Sequence, residues 1–282
     1  ALYDSVRGAT KRLDSADNGA TDTVTNGVTA FNSDGFSLGA GGNENSATTI
    51  VAWCWKESAT AGFDMVAYTG DGTDDDSKTI SHSLSAAPNF IMSKCRSQAG
   101  NWQTSSTALD WDNVLLLDTT AAKAADTQAF GVDGVDPTSS VFTVAASSGG
   151  NHTNIDSATY IAYVWSEKQG FSKFGSYKGN ANANGTFVHV GFRPAFVLLK
   201  NSTGANGWEM RDNKRPGYNL SSGTLAPSSS DAETTGEGID ILSNGFKLRA
   251  SGNGQNGDNT YIYMAFAEAP FVNSNGVPAN AR

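Results

Sequence analysis

A seven-residue aromatic segment recurs three times in this chain, and the recurrence limits the fold more than any other feature. The copies are Thr49-Ile50-Val51-Ala52-Trp53-Cys54-Trp55, Thr159-Tyr160-Ile161-Ala162-Tyr163-Val164-Trp165 and Thr260-Tyr261-Ile262-Tyr263-Met264-Ala265-Phe266. The first two precede Gly62-Phe63 and Gly170-Phe171, the third Pro270-Phe271. In extended chain the side chains alternate. Tyr160, Ala162 and Val164 then share one face, and Ile161, Tyr163 and Trp165 the other. A short run that is apolar on both faces and rich in aromatic and β-branched residues predicts a central strand buried on both sides. A buried helix segment would also be apolar throughout, but runs this short between Asn-, Asp- and Ser-rich stretches fall below usual helix length.

Other pieces fall into the same register. Before each copy stands a second apolar stretch: Asp34-Gly35-Phe36-Ser37-Leu38-Gly39, Ser140-Val141-Phe142-Thr143-Val144-Ala145, and Asn244-Gly245-Phe246-Lys247-Leu248-Arg249. Polar Gly/Asn loops at 41–46, 147–156 and 251–259 connect the two, which reads as a hairpin-like link. After Gly62-Phe63 and Gly170-Phe171 the chain runs to Tyr68-Thr69-Gly70 and Tyr177-Lys178-Gly179. Then come the Pro-led strands Pro88-Asn89-Phe90-Ile91-Met92-Ser93-Lys94 and Pro194-Ala195-Phe196-Val197-Leu198-Leu199-Lys200, followed by Trp102 and Trp208. Proline is tolerated at a first strand position because its missing N–H lies at the ladder's end.

The period is about 100 residues, enough for a self-sufficient core and too long for a solenoid repeat. The expected architecture is all-β: tandem antiparallel β-sandwich domains of jelly-roll type. Residues 58–168 and 169–271 form the second and third repeats, and 272–282 a polar C-terminal tail. Residues 1–57 form an incomplete first repeat, the C-terminal half of a sandwich. There Ala1-Leu2-Tyr3-Asp4-Ser5-Val6-Arg7-Gly8 resembles residues 209–217, with Asp4 matching Asp212, and no Gly-Phe or Pro-led strand precedes it. The chain therefore reads as starting mid-domain. Its strand at 49–55 needs cover on both faces, because each large apolar side chain left exposed forgoes ~1.5–3 kcal/mol.

Composition agrees with many loops and few helices: 31 glycines and 17% charged residues. The net charge of −9 disfavours nucleic-acid binding, since phosphate backbones are repelled. No apolar run approaches a membrane span. Cys54 and Cys95 read as free buried thiols, without a disulfide framework or a CxxC pattern.

Few residues suggest chemistry. His82, His152 and His189 have no partners at metal-binding or catalytic spacing. Gly252-Asn253-Gly254-Gln255-Asn256-Gly257 matches G-x-G-x-x-G but precedes a strand, whereas the dinucleotide fingerprint follows one. Asp71-Gly72-Thr73-Asp74-Asp75-Asp76 could offer oxygen ligands yet lacks EF-hand spacing, so a solvated turn is expected. No catalytic residue, metal site or cofactor is expected. Trp102 and Trp208 occupy matching places with polar neighbours. They read either as core residues donating through the indole N–H or as platforms for a sugar ring. Arg211, Asp212 and Arg215 join them as an ion-paired loop beside Trp208, and these five residues are the candidate binding set.

These motifs carry a resemblance. The run from Gly170 to Lys200, Trp208 with Asp212, the stretch Ser243-Asn244-Gly245-Phe246-Lys247-Leu248-Arg249 and the closing strand through Phe271 resemble a β-rich repeat domain of tailed-phage virion proteins. Many of these are aquatic, and they are often labelled tail fibre or structural protein. The ending Ala279-Asn280-Ala281-Arg282 is similar to the end of such proteins. The resemblance implies a non-enzymatic virion component, a tail-fibre or spike part touching the host surface. It also implies a homo-oligomer, commonly a trimer, with other virion proteins and a host glycan or receptor as partners. A capsid decoration protein and a lectin-like carbohydrate-binding module are the alternatives. A glycan depolymerase would need a carboxylate pair flanking a sugar, and no pair stands out in the sequence.

Overall fold

The computed structural model describes residues 1–40, 43–73, 78–146, 153–215 and 219–269. The tail at 272–282, His152 and Asp74 to Asp76 lie outside the described residues, as do parts of the loops predicted at 41–46 and 147–156. Within the described residues the chain is all-β, with antiparallel sheets joined by turns and short 3-10 segments.

The Thr159–Trp165 strand lies between Phe63–Thr69 and Phe90–Cys95 and pairs with both. The Thr260–Ala267 strand lies in the same way between Ser172–Lys178 and Pro194–Asn201. On the far side of each Pro-led strand runs the Trp strand, Gln103–Ser106 after Trp102 and Trp208–Asp212. The two large sheets thus share one strand order, with the aromatic segments central as their two apolar faces require. Asn113–Leu116 and Ala124–Ala125 extend the first of these sheets beyond the second.

The turn that opens each Gly-Phe strand needs glycine. Gly62 and Gly170 both hold φ at +71°, and a Cβ on Gly62 would stand 2.3 Å from the Ser166 carbonyl oxygen.

A small sheet covers one face of each large sheet. Lys78–Ser81 pairs with Val141–Val144, and Ile80, Phe142 and Val144 pack on Ile91, Ala162 and Val164. Gly245–Leu248 lies between Phe187–His189 and Ile239–Leu242, and Val188, Phe246 and Leu248 pack on Val197, Leu199 and Tyr261. The opposite faces of the large sheets meet in one shared core. Phe90, Tyr163 and Trp165 come from one side and Phe174, Phe196 and Phe266 from the other, with Phe90 and Phe174 stacked at 6.1 Å. Both large sheets are therefore buried on both faces, which is why their central strands carry no polar face.

Residues 49–55 depart from the expected strand and make no ladder. A strand exists through its neighbours' hydrogen bonds, and no described residue supplies a neighbour here. The alternation persists nonetheless: Ile50, Ala52 and Cys54 are exposed, while Val51, Trp53 and Trp55 are half-buried. Trp53 and Trp55 meet the Phe196 ring edge-on at 5.5 and 5.4 Å, and Trp55 meets Phe266 at 5.7 Å. Cys54 is consequently exposed, correcting the expectation of burial; Cys95 is buried, and both thiols are free.

Candidate functional site

Of the candidate binding residues, Arg211, Asp212 and Arg215 lie where the Trp208–Asp212 strand ends, whereas Trp208 opens that strand and Trp102 lies in the other large sheet's region, before Gln103–Ser106. Asp212 sits at the head of a tight turn and accepts the Lys214 and Arg215 amides, both at 2.9 Å, and Arg215 Nε at 2.7 Å. Arg215 also donates to the Met210 carbonyl at 2.9 Å, pairs with Glu233, and stands 5.5 Å over the Trp53 ring. Trp53 Nε1 donates to Asp212 at 3.2 Å. Burial opposes the Asp212 carboxylate, but the amide and guanidinium of Arg215 and the amide of Lys214 hold its pKa below the usual range. Arg211 is buried and donates to the Ser221 carbonyl at 3.0 Å and to Glu209 at 2.8 Å.

The same turn recurs near the N-terminus. Asp4 accepts the Arg7 amide at 2.8 Å and the Arg7 Nε, and Arg7 Nη2 reaches the Leu2 carbonyl at 3.2 Å. Tyr163 Oη donates to Asp4 at 2.7 Å, as Trp53 does to Asp212. Trp53 and Tyr163 hold the same place in their aromatic segments. The second repeat thus docks onto the Asp–Arg turn of the first, and the first onto that of the third. At the remaining contact both partners have changed. Ser106 replaces the aspartate and caps the Ala108 amide at 3.3 Å, Leu109 replaces the arginine, and Met264 replaces the aromatic donor. Leu109 and Met264 both lie in the shared apolar core. Charge joins the units at two of these places, and at the third both residues belong to the shared apolar core.

A second set of contacts repeats between successive units. Trp102 Nε1 donates to the Asp14 carbonyl at 2.8 Å, and Trp208 Nε1 to the Leu116 carbonyl at 2.9 Å. Lys94 Nζ reaches the Asn18 carbonyl at 3.1 Å and the Gly19 carbonyl at 2.6 Å, and Lys200 Nζ reaches the Thr120 carbonyl at 3.1 Å and that of Asn206. The bridges Leu2 to Leu13, Thr104 to Leu115 and Met210 to Leu225 put Asp14 and Leu116 at equivalent positions, and Asn18 and Thr120 likewise. The units at 58–168 and 169–271 thus each hook an indole and a buried ammonium onto carbonyls of the preceding residues. Burial pushes the Lys200 pKa down to about 8.

These contacts correct the ligand-facing reading of the candidate set. Trp102 and Trp208 are 0% and 1% exposed, so neither presents a ring to a sugar. Arg211 and Asp212 are buried, and Arg215 is held between Asp212, Glu233 and Trp53. Trp102, Trp208, Asp212 and Arg215 contact a neighbouring unit, whereas Arg211 bonds Ser221 and Glu209 within its own. The lysines were missed as junction residues, although their signal lay in the sequence: each Pro-led apolar strand ends on a lysine.

The remaining motifs also have structural duties. Tyr68 and Tyr160 stack at 4.8 Å, and Tyr177 and Tyr261 at 5.0 Å. Tyr68 and Tyr177 donate to the Thr153 and Gln255 carbonyls, and Tyr160 and Tyr261 accept the Ile155 and Gly257 amides. Each tyrosine pair thus clamps an Asn-rich loop, and the G-x-G-x-x-G stretch is one of these loops. Asp71 accepts from Asn154, Thr73 and Lys78, contacts that hold its pKa well below the usual range. His82 Nε2 lies 3.2 Å from the Thr138 carbonyl, and His189 is exposed beside Phe187. Among the described residues, no group of three or more His, Cys, Asp or Glu side chains is placed to hold a metal ion, and no helix is long and apolar enough to cross a membrane.

A family model described as a domain of unknown function (DUF7483) matches residues 1–270. The chain belongs to this family. The match takes in residues 1–57 as well as the two large sheets. No curated protein and no solved structure matches the chain.

Proposed function

We propose that this chain is a non-enzymatic structural protein of a tailed-phage virion, a tail-fibre or spike component that contacts the host surface. One observation carries the reading. The charged and aromatic residues best suited to chemistry or ligand binding are spent on joining the repeats: Asp4, Arg7, Lys94, Trp102, Lys200, Trp208, Asp212 and Arg215. A chain that uses its polar side chains this way resists unfolding and offers Asn-, Ser- and Gly-rich loops to the outside. The resemblance of the Gly170 to Phe271 motifs to phage virion repeats supplies the particle. In this reading the chain acts as a homo-oligomer, a trimer, beside other virion proteins, with a host glycan or receptor touching the loops. Immunogold labelling of purified particles tests it, together with adsorption in the presence of excess purified chain. Label on tail fibres and slowed adsorption are expected. Label confined to heads would support capsid decoration, and absence from particles would overturn the proposal.

A further inference from the structure

We infer that residues 1–57 form an open half-unit that takes up a further polypeptide segment patterned like residues 170–208. That segment carries a Gly-Phe strand, a Pro-led strand ending on lysine, and a tryptophan. Two exposed faces carry the inference. The Val28–Phe31 and Phe36–Leu38 hairpin pairs Phe31 with Phe36 and Val28 with Leu38, as Ile239–Leu242 and Gly245–Leu248 pair Ile241 with Phe246 and Ile239 with Leu248. Phe36 and Leu38 are 37% and 39% exposed, whereas their equivalents Phe246 and Leu248 are both 0% exposed. Facing residues in the aromatic segment differ in the same way: Ile50 is 49% exposed and Tyr160 and Tyr261 0%. These are the two inner faces of one sandwich that lacks its filling.

The chain itself shows what fills such a sandwich. In the third repeat the flanking strands and the filling come from residues 170–208: Phe187–His189 pairs with Gly245–Leu248, Ser172–Lys178 and Pro194–Asn201 flank the aromatic strand, and Val197 and Leu199 fill the space between. The same roles in the second repeat fall to Lys78–Ser81, Phe63–Thr69 and Phe90–Cys95. Only a polypeptide can supply ladder hydrogen bonds to residues 49–55, which excludes a lipid or glycan as occupant. A second copy of this chain fits poorly, because both described copies of the covering segment are already paired within their own sheets.

The hooks give the fit an anchor. Leu225, paired with Met210, corresponds to Leu13 and Leu115. Ala226 and Ser230 therefore hold the carbonyls equivalent to those of Asp14 and Asn18, which receive Trp102 and Lys94. The turn is the same as well: the Ser229 amide donates to the Ala226 carbonyl as Thr119 does to Leu116. The incoming tryptophan and lysine meet the Ala226 and Ser230 carbonyls.

The test fuses a copy of residues 170–208 directly before Ala1 of the full chain, the order in which Trp208 precedes Glu209. Amide exchange at 49–55 is expected to slow by at least ~100-fold, as for a strand opening only sub-globally. Binding of a hydrophobic dye should fall, and the thiol of Cys54 should become unreactive, since its equivalents Val164 and Ala265 are 0% exposed. Replacing the lysine of the fused segment by methionine should weaken that protection. A folded fusion with unchanged exchange and unchanged Cys54 reactivity overturns the inference. Should the fusion not fold, the unfused chain still decides. Cys54 must react there at the rate of an exposed thiol in monomer and oligomer alike, and a Cys54 shielded by self-association would make a second copy the occupant and overturn the proposal.

Discussion

Residues 49–55 and 159–165 have nearly the same pattern and different structures. Thr159–Trp165 is a central strand paired along its length on both sides. Residues 49–55 keep the alternation of faces but have no ladder. The difference teaches that the apolar pattern fixes which side chains face inward, whereas strand character comes from neighbours. Trp53 and Trp55 still find the shared core, so one face of the segment is satisfied by packing alone. The other face, with Ile50, is left to water.

The strongest way to break this comparison is to truncate equivalent tryptophans. Trp165 is 5% exposed and stacks on Phe63 at 5.0 Å. Trp165→Ala should cost ~3–5 kcal/mol in denaturant unfolding. Trp55→Ala should cost at most about 2 kcal/mol, because its ring is only partly removed from water. Equal costs would mean that 49–55 is as firmly held in solution as 159–165.

The junctions sharpen the comparison in the other direction, since they should behave alike. Lys94→Met and Lys200→Met each remove a buried ammonium from its backbone carbonyls, Asn18 and Gly19 in one case and Thr120 and Asn206 in the other. A loss of about 1–3 kcal/mol is expected for each. If one substitution were neutral and the other costly, the two junctions would not be equivalent.

Acid should act on the Asp–Arg turn. The folded pKa of Asp212 is depressed, so folding favours its charged form. Its stabilisation is fully present above the ordinary carboxylate pKa of ~3.9 and is lost as pH falls through the lower folded value. Melting temperatures between about pH 2 and 5 should therefore fall less steeply in Asp212→Asn than in the parent chain. The same slope in both would remove the ion pair from the account of that junction.

The smallest effect expected is at Ile50. Ile50→Ala should leave stability within ~0.5 kcal/mol, as for an exposed side chain, although Tyr160 and Tyr261 at the same place are fully buried. A loss above 1.5 kcal/mol, of the order expected for a buried side chain, would show that something already covers that face.

Much of the fold was legible in the sequence because its signals are local. Two-sided apolar runs demand central strands, Gly-Phe recurs before both flanking strands, and residues 1–8 resemble 209–217 with Asp4 matching Asp212. The candidate binding site was legible only as a set of residues. That Trp102, Trp208, Arg211, Asp212 and Arg215 face inward could not be read there, because an indole beside polar neighbours looks the same whether it meets a sugar or a distant carbonyl. Asp14 and Leu116, the acceptors of Trp102 and Trp208, lie far away in sequence and accept through the backbone, which leaves no trace in residue type. Sequence by itself determined the all-β class and the inward faces of the aromatic segments, since those follow from side-chain alternation along one segment. Tertiary structure alone decided which segments became strands and which polar groups joined the repeats, since a ladder and a buried hydrogen bond each require a second piece of chain at a fixed place.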